Sequence, residues 1–330
     1  MKSMEVHLVE RPQSLTTPEQ FRLVETEVAD PGDGQVLVEN IYMSVDPAMR
    51  PRLAGQQALN VAMMSGAIGR VLKSRHASFK EGDYVESMYG FRQYFVSDVK
   101  GLMKLNADGM PLVAYMSVLG LTGLTAYGGL LVIGALKDGE SVFVSAAAGA
   151  VGSIAAQIAK IKGCYVIGSA GSDAKCRWLK DELGLDAAIN YKSGELRHSL
   201  KAAAPKGIDV YFDNVGGEHL NSALPRMNAL GRIAVCGMIS AYNNFGAVSE
   251  PVTTLSNIIY NRVTIRGFVF YEFEDKRAQF LSDMKGWIKD GRIKYRTTIV
   301  EGIEAAPGAL IGLFTGANTG KMVVQLTQEG

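Results

Sequence analysis

The sequence predicts an α/β chain in which a doubly wound, parallel sheet is set into a smaller, mostly β unit. Two patterns carry that prediction. From about Leu121, apolar strands alternate with helices, as in a parallel sheet covered on both faces. Before it, short β-prone stretches are broken by Gly- and Asp-containing turns, which suits an antiparallel or barrel-like unit. The chain has 330 residues, more than one hydrophobic core usually serves, so two domains are expected.

In chain order, the first unit shows Val36–Val38, Ile68–Leu72 and Tyr94–Val96 as strands. Pro31-Gly32-Asp33-Gly34 and Glu81-Gly82-Asp83 supply turns. The strand Ser141–Ala146 then leads through Ala147-Ala148-Gly149-Ala150-Val151-Gly152 into a helix over Ser153–Lys162. Gly163 closes that helix where a left-handed cap belongs. A strand at Tyr165–Ser169, a helix at Lys175–Leu183 and a strand at Ala187–Asn190 continue the alternation. Asp209–Phe212, Arg232–Cys236 and Val263–Phe268 bring the expected parallel strands to six. Phe280, Leu281, Met284, Trp287 and Ile288 recur at helical spacing, which predicts an amphipathic helix over Asp275–Lys289. The strand Lys321–Leu326 breaks the alternation and is expected to return to the first unit. The expected domains are thus 1–120 with 295–330, and 121–294.

Composition narrows the function. Net charge is +1 with no basic or acidic block, which argues against nucleic acid or a charged membrane as main partner. No apolar run reaches the roughly 18 residues of a membrane span, and Met1–Gln13 lacks the organisation of a signal peptide. Three scattered cysteines suit reduced thiols in the cytoplasm. The four histidines and three cysteines show no spacing that gathers metal ligands, so no metal is expected.

Gly149 and Gly152 stand at a strand-to-helix turn with Ala146 in the place of a first glycine, an AxxGxxG pattern. Small residues allow a tight turn and close backbone approach, and the helix N-terminus offers N–H groups to a pyrophosphate. A tight helix–strand contact without ligand is the competing reading. At the end of the next strand, Gly168-Ser169-Ala170-Gly171-Ser172 has no carboxylate for ribose hydroxyls, and Lys175 follows. That favours a 2′-phosphate, hence NADPH/NADP+, with Asp173 read as the N-cap of the following helix.

Six motifs occur in order: Met43–Arg50, Ala146–Gly152, Ala170–Lys175, Asp213-Asn214-Val215-Gly216-Gly217, Cys236–Asn243 and Gly316–Lys321. Together they resemble the zinc-free medium-chain dehydrogenase/reductases of the prostaglandin reductase, leukotriene B4 12-hydroxydehydrogenase and alkenal double-bond reductase group, bacterial curcumin reductases included. The resemblance implies a GroES-like domain with an inserted Rossmann domain, and homodimers. It implies cofactor contacts at Gly149, Ala150, Val151 and Gly152 for the pyrophosphate, and at Lys175 and Tyr191 for the 2′-phosphate. Asn214, Cys236, Gly237, Ser240 and Tyr242 would lie along ribose and pyrophosphate. Phe268, Val269, Phe270 and Asn318 would border the nicotinamide. Met43 and Tyr271 are expected at the substrate pocket, shaped by loops Leu53–Met64 and Ala241–Pro251.

The implied chemistry is NADPH-dependent reduction of the C=C bond of α,β-unsaturated ketones or aldehydes. Hydride adds to the β-carbon and the carbonyl oxygen gathers charge, so a hydrogen-bond donor aimed there lowers the barrier. Tyr260 is the candidate donor, with packing alone as its alternative role. Two departures from the family pattern bear on substrate: Ala48 replaces a usual tyrosine, and Thr122 replaces a frequent proline. The threonine version resembles quinone reductases of the zeta-crystallin type. Quinone reduction, and beyond enzymes a non-catalytic NADPH-binding protein, are the alternatives.

Overall fold

Largely apolar strands in the middle of the chain and strands of mixed pattern around them sort into separate sheets. The computed structural model describes residues 1–243 and 251–329. One unit holds residues 1–116, 297–318 and the chain from Met322 onward; the other holds 117–296 with 319–321. The expected boundaries at 120 and 294 fall close by. The short piece Thr319–Lys321 groups with the second unit because Gly320 N donates to Ala148 O at 2.8 Å and Lys321 N to Arg296 O at 3.0 Å.

In the first unit β1 (Lys2–Leu8) pairs antiparallel with β2 (Phe21–Glu27). β3 (Val36–Ser44) is followed by helix α1 (Met49–Leu53), β4 (Ala67–Ser74), β5 (Tyr84–Ser87), β6 (Tyr94–Ser97), β7 (Met103–Lys104) and helix α2 (Leu112–Tyr115). β3 pairs antiparallel with both β4 and β6 and is buried along nearly its whole length, the profile of a central strand.

The second unit opens with helix α3 (Leu121–Gly128), then β8 (Ser141–Val144), helix α4 (Ala150–Ile161), β9 (Tyr165–Ala170) and helix α5 (Asp173–Asp181). β10 (Ala187–Asn190), helix α6 (Leu196–Ala203), β11 (Ile208–Asp213), helix α7 (Gly217–Ala223) and β12 (Met227–Val235) follow. Helix α8 (Ser256–Asn261), β13 (Thr264–Gly267) and helix α9 (Arg277–Lys289) complete it. The six strands run parallel in the order β10-β9-β8-β11-β12-β13, the doubly wound arrangement expected. Their core joins Phe143, Ile167, Tyr211 and Ile233 from the sheet with Leu196, Leu200 and Leu220 from covering helices.

The chain then returns to the first unit through β14 (Thr297–Glu301), helix α10 (Ala306–Thr315) and β15 (Lys321–Gln325), which pairs antiparallel with β3. The first unit's core gathers Val6, Leu8, Met43, Leu53, Phe91, Leu310 and Val324.

Element ends shift by a turn in places. α4 begins at Ala150, directly on Gly149, and Gly163 takes the left-handed φ of +69° expected of it. α5 is capped by Ser172, whose hydroxyl accepts from Lys175 N at 3.3 Å. Asp173, read from sequence as the cap, is instead the first helical residue, and its carboxylate accepts from Asn190 Nδ2 at 2.8 Å. α9 starts at Arg277, after a tight 3-10 segment over Phe270–Lys276. Phe280 and Met284 of its predicted apolar face are buried, with Leu281, Trp287 and Ile288 half-buried.

Candidate nucleotide and active site

A parallel sheet delivers every strand's C-terminal end to one edge, and ligands of open α/β sheets bind there, where strand order reverses. Here the reversal lies between β8 and β11. Nearly all the expected cofactor residues of the second unit follow strand ends. Gly149–Gly152 come after β8, Lys175 after β9, Tyr191 after β10, Asn214 after β11, Cys236–Tyr242 after β12 and Phe268–Phe270 after β13.

The turn after β8 is built by an alanine in the left-handed region. Ala146 has φ +47° and accepts from Gly149 N at 2.9 Å, which folds the chain back onto the helix start. A Cβ at Gly152 would lie 2.4 Å from Ala146 O and 2.9 Å from Ala147 Cα, so only glycine lets α4 approach the turn this closely. No side chain caps α4, and Gly149, Ala150 and Val151 are half-exposed. The first-turn N–H groups and the positive end of the helix dipole therefore face outward at a topological switch point, a fitting seat for a pyrophosphate.

A second corner forms at the tips of β9 and β10. Tyr191 N donates to Ala170 O at 3.2 Å, which lays the Tyr191-Lys192 segment beside Gly171. A Cβ at Gly171 would lie 3.0 Å from the Tyr191 hydroxyl and 3.3 Å from Lys192 Cε. Lys175, half-buried, has its ammonium pushed below the ordinary lysine range, first by desolvation and then by the charge of Lys192. Beneath Tyr191 lies His219, edge-on at 5.0 Å between ring centroids, with Nε2 3.0 Å from Ser169 Oγ. Burial lowers the imidazole to about 4, so it is neutral at physiological pH. Lys192 and His219 were not singled out by sequence reasoning. Their part in this corner depends on the pairing of β9 with β10 and on the packing of α7, which no local motif records.

The switch point itself is stitched by Asp213. This fully buried carboxylate accepts on Oδ1 from Tyr211 Oη at 2.6 Å, Ser145 Oγ at 3.1 Å, and the backbone N–H groups of Val215 and Gly216 at 2.9 Å each. Burial raises its pKa even so. Ser145 Oγ in turn accepts from Asn214 N, and Asn214 Nδ2 donates to Ser145 O at 2.7 Å. The loop after β12 is tied to the same turn. Cys236 N and Gly237 N donate to Asp213 O, and Ser240 Oγ donates to Val215 O at 2.6 Å. Tyr242 Oη accepts from Met238 N at 3.1 Å and would stand 3.0 Å from a Cβ at Gly237. Burial and the nearby Asp213 push the Cys236 thiol up to about 12, so it stays protonated. Thus Asn214, Cys236, Gly237, Ser240 and Tyr242 form one hydrogen-bonded wall.

The remaining expected residues are placed differently. Phe268 is buried, edge-on to Phe212 and against Phe273, while Val269 is exposed. Tyr271 follows β13, is 65% exposed and packs edge-on against Phe270. Tyr260 lies on α8, ahead of β13 rather than after a strand end. It is 78% exposed, and its hydroxyl has no hydrogen-bond partner among the described residues. Met43, expected at a substrate pocket, is instead fully buried in the first unit's core, where its sulfur accepts from Phe91 N at 3.3 Å. A central strand paired on both sides and buried along nearly its whole length decides that placement. Asn318 belongs to the first unit, just before the Thr319–Lys321 piece. Of the loop Ala241–Pro251, residues 244–250 lie outside the described residues. Thr122 is buried and donates its hydroxyl to Ser117 O at 2.8 Å, a local role in the start of α3. Ala48 is exposed ahead of α1. Among the described residues no group of three or more His, Cys, Asp or Glu side chains gathers to hold a metal ion.

Comparison with known proteins agrees with this architecture. Residues 4–105 match the family described as the N-terminal domain of oxidoreductase, and residues 150–285 the one described as zinc-binding dehydrogenase. The chain is 44% identical to prostaglandin reductase 1 of Bos taurus, over 94% of each chain. It is 37% identical to the NADPH-dependent curcumin reductase of Escherichia coli (strain K12), over 98% of this chain and 96% of that one. It is 40% identical to the 2-alkenal reductase (NADP(+)-dependent) of Nicotiana tabacum, over 90% and 89%. The crystal structure of CurA in complex with NADPH from Vibrio vulnificus superposes with a TM-score of 0.94 at 36% identity, covering 99% of this chain and 100% of that one. The chain is therefore an oxidoreductase of the medium-chain dehydrogenase/reductase family, in the group of the prostaglandin, curcumin and 2-alkenal reductases.

Proposed function

We propose that this enzyme uses NADPH to reduce the C=C bond of α,β-unsaturated ketones and aldehydes. The observation that carries the reading is the corner at the tips of β9 and β10. It presents Lys175 and the Tyr191 hydroxyl, while the neighbouring carboxylate of Asp173 is held by Asn190. That is a place for a 2′-phosphate rather than for free ribose hydroxyls. The relatives whose names specify NADPH, alkenals and curcumin give the substrate class.

Bound NADPH would supply a hydride to the β-carbon of the substrate, and the α-carbon would then take a proton from solvent or a nearby hydroxyl. The protein's own tasks are to hold the two reactants and to stabilise the charge that develops on the carbonyl oxygen. Gly149–Gly152 receive the pyrophosphate, and Lys175 and Tyr191 the 2′-phosphate. Asn214 with Cys236, Gly237, Ser240 and Tyr242 borders the ribose, and Phe268–Phe270 and Asn318 the nicotinamide. Tyr260 is the proposed donor to the carbonyl oxygen; its unpartnered hydroxyl leaves it free to donate. Tyr271, which follows a strand end, is the second aromatic of the substrate wall. Quinone reduction is the less supported alternative, because the relatives' names specify alkenals and curcumin.

We also propose a homodimer acting in the cytoplasm. No described helix is long and apolar enough to cross a membrane, and the three cysteines are unpaired. The dimer is supported by two features: β13 ends the sheet order, and the segment just before it leaves Leu255, Ile259 and Tyr260 exposed.

The reading is tested by following deuterium from NADPH labelled at the transferred position. Label on the β-carbon of a saturated ketone is the expected result, with turnover slowed by about tenfold or more in Tyr260→Phe. Label in an allylic alcohol would overturn the reading, and unchanged turnover in Tyr260→Phe would remove that tyrosine from it.

A further inference from the structure

The segment Asn190-Tyr191-Lys192 ends β10 in a turn made by its own asparagine. Asn190 Oδ1 accepts from Lys192 N at 3.1 Å, while its Nδ2 donates to Asp173 Oδ1 at 2.8 Å. One side chain thus occupies the nearest carboxylate and fixes the direction in which Lys192 leaves the strand. That direction is toward Gly171, since Lys192 Cε would stand 3.3 Å from a Cβ there. Lys192 enters no ion pair with any described residue. Lys175, half-buried on the neighbouring element, feels the charge of Lys192, so the two cations share this corner and their positive fields add for an incoming anion.

We infer that Lys192 is a further specificity-determining residue, a second cation that joins Lys175 and Tyr191 around the 2′-phosphate. The inference rests on the NADPH reading above and extends it to a residue with no assigned role. Lys175 belongs to the first turn of α5 and Lys192 to the turn after β10, and the Tyr191 hydroxyl lies against Gly171 beside Lys192. A phosphate dianion there meets two charges of opposite sign from two different elements. The 2′-hydroxyl of NADH would meet the same two ammonium groups without neutralising them. Lys192 therefore favours NADPH over NADH by holding the 2′-phosphate, which NADH lacks. Glycine at 171 is part of the same device, because a side chain would displace both Tyr191 and Lys192.

The test is equilibrium titration with NADPH and with NADH, read by quenching of tryptophan fluorescence, on wild type, Lys192→Gln and Lys192→Arg. Lys192→Gln should weaken NADPH about tenfold, equivalent to about 1.4 kcal/mol, and leave NADH within about twofold. Lys192→Arg should keep most of the NADPH affinity, because charge at that place is what matters. Equal weakening of both nucleotides by Lys192→Gln, or no weakening of NADPH, would overturn the inference. Failure of the wild type to prefer NADPH over NADH would instead sink the cofactor reading beneath it. The two failures are thereby told apart.

Discussion

His219 shows how one buried side chain ties local packing to behaviour in solution. Its ring is sandwiched near Phe143, edge-on to Tyr191 and bonded to Ser169, and burial lowers it to about 4. In the unfolded chain the same imidazole titrates near the ordinary histidine value of about 6.5. Between those values the unfolded state binds more protons, so stability rises with pH across the window. It is complete above about 6.5 and is lost as pH falls toward about 4. We expect denaturant midpoints of the wild type to drop between about pH 7 and about pH 4, with this residue contributing roughly 2–3 kcal/mol of the loss. His219→Phe, which keeps an aromatic ring in place, should show a correspondingly shallower decline. Parallel slopes for the two proteins would mean that the histidine is not buried neutral.

At the scale of elements, the parallel sheet and its helices were legible because each strand is a short apolar run bounded by a helix of the right period. Five parallel strands out to β12 are covered that way, and the glycine turn into α4 announces itself. The cap of α5 was not legible. Ser172 and Asp173 are both good N-cap residues, and only the backbone angle decides which one takes the position. Lys192 was hidden because its neighbours belong to another strand, and Met43 because a family motif marks a segment without saying which side of the strand each residue takes. The last strand, β13, carries the element-scale prediction. It ends the sheet order, and the helix before it leaves Ile259 and Tyr260 exposed. Sedimentation should give twice the monomer mass, and Ile259→Lys should shift the enzyme to monomers. A wild-type monomer at micromolar concentration would refute the dimer.

For the whole molecule, a β-rich unit is built from the two ends of the chain, and a parallel-sheet unit between them brings its strand ends and the loops after them to one edge. Asp213 is the clearest sign of that economy: one buried carboxylate fixes the turn after β11 and, through its backbone carbonyl, the loop after β12. Such preorganisation is what hydride transfer asks of a protein, since the cofactor carries the bond-making step. The most direct measurement of the central claim is the rate of NADPH oxidation with a simple enone, an enal and a quinone, with NADH run beside it. The account predicts rapid consumption of NADPH with the enone and the enal, and at least about tenfold slower use of NADH. Turnover with the quinone alone, or equal use of the two nucleotides, would contradict it.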